Sequence, residues 1–172
     1  MILLLRPYRV GDEVMINATH GHVKALDLFS TRLADLDNLE VFVPNGKVFG
    51  EVIVNYTTPG HRRFELQVGI DYEDDVDLAI QLLQEIAERD PRILKTPKPW
   101  AHVFALGDSS VQLILRAHAK VGDWRDARHD TLKAIKETFE ARGLSFPFPQ
   151  QTSSERVPRV AAKPVRVASG KG

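Results

Sequence analysis

His20 and His22, on either side of Gly21, put two imidazoles on one side of a strand or turn. Two neutral imidazoles can begin a zinc site, but a closed tetrahedral set needs further ligands, and no third is evident. Gly21 reads as turn punctuation between them. The run Asp71-Tyr72-Glu73-Asp74-Asp75-Val76-Asp77 has the acid density of a calcium loop. The sixth position of such a loop must be Gly for its sharp bend, and here it is Val76. Acids just ahead of an apolar helical stripe serve better as helix caps. Asn45-Gly46-Lys47 lacks the upstream glycine and the following hydroxyl of a phosphate-binding loop. Ser109-Ser110 has no flanking glycines to make a nucleophile elbow. The six histidines are scattered, with no base set beside a nucleophile. These residues predict no enzyme, no metal centre and no cofactor.

The elements that carry these residues fall into two groups. In the first, Val14 and Ile16 alternate in one strand, and Val23 to Phe29 makes a second. Thr31–Leu36 and Leu39–Val43 read as a hairpin turned by Asp37-Asn38. Pro44 has no N–H to give a ladder and ends the strand. Gly46 to Gly50 is a turn or a single helical turn, and Glu51 to Thr57 a fifth strand. Five short strands at close spacing suggest a small barrel. Thr58-Pro59-Gly60 marks a boundary.

The second group mixes helices with strands. Phe64, Leu66, Val68 and Ile70 alternate as a strand. Asp74 and Asp75 open a helix with Val76, Ile80, Leu83 and Ala87 on one face. Strands follow over 101–106 and from Val111 to Ala117. Asp123 then caps a helix whose inner face is Ala127, Thr131, Ile135 and Phe139, and Gly143 stops it. Leu144–Phe146 is a possible final strand. The order β-α-β-β-α is ferredoxin-like.

Composition narrows the class. There is no cysteine, so neither disulfides nor thiolate metal sites arise. Net charge is zero. Residues 1–58 hold five Lys/Arg against seven Asp/Glu, residues 59–149 thirteen against fifteen, and residues 150–172 five against one. Only the tail would invite an anionic partner, and its lack of period reads as disorder. Slightly acidic folded segments argue against nucleic acid. Trp100 and Trp124 each open an element and are expected to cover a core edge. No run approaches the about 20 apolar residues that cross a bilayer. Met1-Ile2-Leu3-Leu4-Leu5 is also too short for the core of a signal peptide, and Arg6-Pro7 follows at once.

Three segments carry a resemblance. Arg6-Pro7-Tyr8-Arg9-Val10-Gly11-Asp12-Glu13-Val14 is similar to a Pro-aromatic-x-x-Gly-acidic segment of the small-conductance mechanosensitive channel family. Thr31, Leu33, Asp37, Val41, Val43, Pro44 and Asn45 resemble that family's signature. So does Gly143-Leu144-Ser145-Phe146-Pro147-Phe148-Pro149-Gln150. The matches keep the family's order and cover roughly residues 1 to 150.

The resemblance implies an α+β chain divided into four parts. Residues 1–11 would be the remnant of a pore-lining helix and its junction, and 12–57 an Sm-like five-stranded β-barrel domain. Residues 61–149 would be a ferredoxin-like domain, and 150–172 a basic tail. It implies the cytosolic cage of a channel that opens on membrane tension in hypo-osmotic shock. The cage would assemble as a homoheptamer, filter ions and small osmolytes, and modulate gating. The full channel would lie in the inner membrane with this portion facing the cytoplasm. This portion would be soluble alone, its pore-forming transmembrane helices being absent from this chain.

Residue by residue, Gly46 matches a position that faces the pore helix and takes part in inactivation, with Pro44 and Asn45 beside it. Pro7 and Gly11 match the pore-helix junction. Phe146, Pro147, Phe148 and Pro149 match the segment leading to the cage floor. Pro158 and Pro164 interrupt the stretch where the family adds a bottom barrel. An Sm-like RNA-binding protein and a small-molecule-sensing ferredoxin-like module are the other readings of the same elements.

Overall fold

The computed structural model describes residues 7–147. Phe148, Pro149, the first six residues and the basic tail lie outside the described residues. Five strands build the first sheet: β1 (Glu13–Ile16), β2 (Thr19–Leu26), β3 (Ser30–Asp35), β4 (Glu40–Pro44) and β5 (Ile53–Asn55). They pair antiparallel in the order β4-β3-β2-β1-β5. A one-turn helix, α1 (Asn45–Val48), starts the chain back from β4 at one end of the sheet to β5 at the other. That is the path an Sm-like five-stranded domain takes.

Alternation decides what is buried. Val14, Ile16, Val23 and Leu33 point inward and meet Tyr8 and Val48, with Leu26, Val41, Val43 and Ile53 packed around them. Gly21 does not break the chain, contrary to the sequence expectation. The reversal falls at Asn17 and Ala18, whose φ values of 45° and 63° make a two-residue hairpin loop. Gly21 lies inside β2, where a Cβ would stand 2.3 Å from the carbonyl oxygen of Ala34. Its glycine serves close strand approach.

The second unit has a three-stranded antiparallel sheet in the order β6-β8-β7, from β6 (His61–Ile70), β7 (Trp100–Leu106) and β8 (Val111–Lys120). The helices α2 (Val76–Arg89) and α3 (Trp124–Ala141) supply the rest of its core. The element order is the ferredoxin-like β-α-β-β-α.

The α3 face is Ala127, Thr131, Ile135 and Phe139, as the periodicity predicts. On α2 the buried stripe is rotated. Ala79, Leu82, Leu83, Ile86 and Ala87 are buried, while Val76 and Ile80 are partly covered. Asp75 caps α2 through Leu78 N–H at 3.0 Å. Asp123, by contrast, makes no side-chain cap to α3. Leu144–Phe146 is not a strand. Gly143, at φ 76°, ends α3 with its N–H on Glu140 O, and Leu144 N–H returns to Phe139 O. This is a Schellman closure, and it buries Leu144. Phe146 then stacks on Phe139 with ring centroids 5.9 Å apart.

Candidate functional site

Asn45 begins α1 directly after Pro44, and its amide is fully engaged. Asn45 Nδ2 donates to the carbonyl oxygens of Asp27 and Leu28 at 2.9 and 3.0 Å. Its backbone N–H donates to Phe29 O at 2.8 Å. Asn45 Oδ1 accepts from the Thr31 hydroxyl at 2.9 Å. Carbonyl oxygens only accept, so the orientation of the amide is determined by its partners. Thr31 spends its one proton on Asn45. In the 2.9 Å contact between the Tyr8 and Thr31 hydroxyls, Tyr8 is therefore the donor.

This relay is dry. Tyr8 is 1% exposed and Thr31 0%. Burial pushes the Tyr8 phenol up, and the Thr31 hydrogen bond offsets part of that rise. The neutral phenol is the species the relay needs. Thr31 sits at an inward-facing position of β3, one of few buried polar side chains in a sheet otherwise filled by Val, Ile and Leu. A hydroxyl in that register was a visible signal of a buried partner.

Pro7 and Gly11 flank the same relay. Gly11, at φ 95°, needs the left-handed region that glycine tolerates, and its N–H donates to Val23 O at 2.8 Å. Asp12 Oδ2 accepts from Arg9 N–H and from Asn55 Nδ2, at 2.9 and 2.8 Å. Asn55 Nδ2 also reaches Pro7 O at 3.4 Å. Segment 7–12 is thereby pinned to β2 and β5, with Tyr8 driven into the core.

Gly46 is exposed, and a Cβ there would meet nothing within 4 Å. Its φ is not in the left-handed region. Among the described residues, then, neither space nor conformation demands glycine at 46. Around it, exposed apolar side chains share the surface with exposed Asp27 and Lys47. Phe29 is 81% and Leu28 68% exposed, and both belong to the loop that Asn45 holds.

The Tyr8–Thr31–Asn45 hydrogen bonds thus link the segment that holds Pro7 and Gly11 to the Pro44-Asn45-Gly46 turn. Phe146 and Pro147 belong to the other unit, and no hydrogen bond among the described residues ties them to the relay.

The remaining candidates resolve into structural roles. His20 Nε2 lies 2.9 Å from Glu13 Oε1, while His22 is exposed. Among the described residues no group of three His, Cys, Asp or Glu side chains is placed to hold a metal. Asp71 and Asp74 brace a turn, and Asp74 Oδ2 also accepts from Ser145 N–H at 2.8 Å. The Trp124 ring lies under Arg62, 4.0 Å from its guanidinium carbon, and the Trp100 ring under Arg116 at 4.5 Å. Both indoles are used in cation–π packing.

Comparison with known proteins identifies the two units. Residues 1–58 match the family model described as "Mechanosensitive ion channel, beta-domain". Residues 64–146 match "Mechanosensitive ion channel MscS, C-terminal". The chain is 40% identical over 146 residues to an uncharacterized MscS family protein of Archaeoglobus fulgidus, covering 85% of this chain and 52% of that protein. It is 30% identical over 150 residues to the small-conductance mechanosensitive channel of Edwardsiella ictaluri, covering 87% and 52%. The chain spans about half the length of these curated relatives. The crystal structure of Helicobacter pylori MscS in its closed state superposes with a TM-score of 0.81 at 24% identity. That match covers 99% of this chain and 62% of the other, and shows a shared fold. No helix among the described residues is long and apolar enough to cross a membrane. With both of its units matched, this chain belongs to the MscS family of mechanosensitive ion channels and comprises that family's β and C-terminal domains.

Proposed function

We propose that this chain is the cytosolic module of a channel opened by membrane tension in hypo-osmotic shock, and that Gly46 is its contact with the pore helix. One observation carries the reading. Asn45 locks the Asp27–Phe29 loop and α1 together, so that an exposed glycine stands among exposed Leu28 and Phe29. A glycine with no internal need for its missing side chain suits close approach by an outside element. Exposed apolar neighbours suit an apolar helix. The buried Tyr8 hydroxyl ties the same loop to the segment that would leave the pore helix.

The module assembles as a homoheptamer. β4 and β5 each keep one edge unpaired among the described residues, and β4 exposes Phe42. An open edge is covered or paired, and a ring of copies closes it. The assembled cage filters permeating ions and small osmolytes. The test is patch-clamp recording from the full-length channel in membranes, comparing wild type with Asn45→Ala. The reading expects tension-activated current in the wild type and altered decay in the variant. Absent tension-activated current in the wild type would refute it.

A further inference from the structure

Glu13 is the one buried acid among the described residues, and it has no part in the relay. It opens β1, next to the junction segment that ends at Gly11. Its backbone and side chain both point to the same crossing between the two units. Glu13 N–H donates to the Thr57 hydroxyl at 2.9 Å, and Glu13 O accepts from Tyr56 N–H at 2.9 Å. These bonds anchor the chain just before the linker at Thr58-Pro59-Gly60. The carboxylate then faces residues beyond that linker. Arg62 Nη1 on β6 lies 3.5 Å from both of its oxygens, and Arg125 Nη2 on α3 lies 3.5 Å from Oε1. His20 Nε2, on β2, completes the set at 2.9 Å.

The packing around Arg62 gives the ion pairs a fixed geometry. Its guanidinium is 4.6 Å from the Tyr56 ring centroid and 4.0 Å from that of Trp124. Tyr56 follows β5, and Trp124 opens α3, so the cation is clamped by one ring from each side of the linker. Trp124 Nε1 donates to Arg63 O at 3.1 Å and holds α3 against the start of β6. The Glu13 side chain is 9% exposed and that of Arg62 21%. A carboxylate so covered is tolerated only while its cations stay in place. The two units cannot swing apart about residues 58–60 without leaving Glu13 buried and deprived of both arginines, or drawing water into the crossing.

We propose that Glu13 is an interdomain latch, which fastens the α/β unit to the β unit through Arg62 and Arg125 and so joins the α/β unit mechanically to the Pro7–Gly11 junction. What the latch serves rests on the channel reading above, since only in a channel does that junction lead to a pore. The latch itself is testable without any current.

The chain has no cysteine, so two introduced ones label cleanly. Spin labels on Lys24→Cys in β2 and Lys133→Cys in α3, both exposed positions, report the distance between the units by pulsed electron resonance. Labelled chain is diluted with excess unlabelled chain, so that only distances within a chain are read. The latch predicts a single narrow distance in the otherwise native chain, and loss of that narrow peak in Glu13→Gln with circular dichroism unchanged. The double variant with Arg62→Gln should broaden the distance by less than the sum of the two single variants, because the two residues share one ion pair. A purely local packing role would give additive effects. If Glu13→Gln does not fold, Arg62→Gln alone replaces it with the same expected result. A folded variant that keeps the narrow distance overturns the latch and leaves the channel reading untouched. Absence of tension-activated current in the native channel would refute that reading and leave the latch standing.

Discussion

The Tyr8 hydroxyl donates to the Thr31 hydroxyl at 2.9 Å, and the Thr31 hydroxyl donates in turn to Asn45 Oδ1 at the same distance. This joins residues 23 positions apart and connects the segment around Tyr8 to the Pro44-Asn45-Gly46 turn. Tyr8→Phe keeps the ring and removes one buried hydrogen bond, at a cost of about 1 kcal/mol. Thr31→Val orphans both the phenol and the Asn45 oxygen and should cost more, about 2 kcal/mol or above. Denaturant unfolding of the two variants checks the order. Equal losses would mean that the relay does not run through Thr31.

The same phenol sets an alkaline limit. Its folded pKa is raised above the ordinary 10.0 by burial. Above pH 10 the unfolded chain therefore loses the Tyr8 proton first, and folding stability falls as pH rises through the folded value. Below pH 10 the contribution is fully present. Tyr8→Phe should flatten this alkaline loss while lowering stability at neutral pH. Melting curves taken across that range test it, and parallel pH profiles for variant and wild type would contradict it.

His118 sets a limit on the acid side. Desolvation, then His61, Arg63 and Arg116, hold its pKa below the ordinary 6.5. The folded state thus resists its protonation, and the associated stability is present above pH 6.5 and lost as pH falls. His118→Gln should reduce the difference in stability between pH 7 and pH 5, read as midpoints of urea unfolding. An unchanged difference would contradict it.

Gly21→Ala should destabilise the β unit, since its methyl would stand 2.3 Å from Ala34 O, a backbone atom of β3. Overpacking of this kind costs about 1–3 kcal/mol. Gly46→Ala, with nothing within 4 Å, should leave the stability of the chain unchanged. Thermal melts of the two variants side by side make the contrast, and equal losses would show that Gly46 is structurally constrained after all.

Much of this fold is legible in the sequence, for reasons that differ by element. Strand alternation and the α3 stripe of Ala127, Thr131, Ile135 and Phe139 are local patterns that burial reinforces. The α2 stripe is rotated because Ala79 and Leu82 turn inward between the sheet and α3, which periodicity alone does not weigh. Gly21 misleads because a glycine at a close strand crossing and a glycine in a turn look alike in one sequence. The segment quoting Pro44, Asn45 and Gly46 stands out locally, but the use of Asn45 depends on Thr31 and on carbonyls of the Asp27–Phe29 loop. Glu13 was the least visible. Its arginines lie 49 and 112 positions away, beyond any local pattern.

Assembly gives an independent check. Light scattering on the purified chain should report a species of seven protomers of 19.3 kDa, if the open edges of β4 and β5 pair between copies. A monomer at all concentrations would contradict ring closure by these edges.

The most direct test of the central claim is the decay of current under sustained tension, in membrane patches holding the full-length channel with Gly46→Ala. Contact between Gly46 and the pore helix predicts tension-activated opening with an altered rate of inactivation, because the added methyl meets the helix and nothing in its own chain. Opening and decay indistinguishable from wild type would contradict that contact.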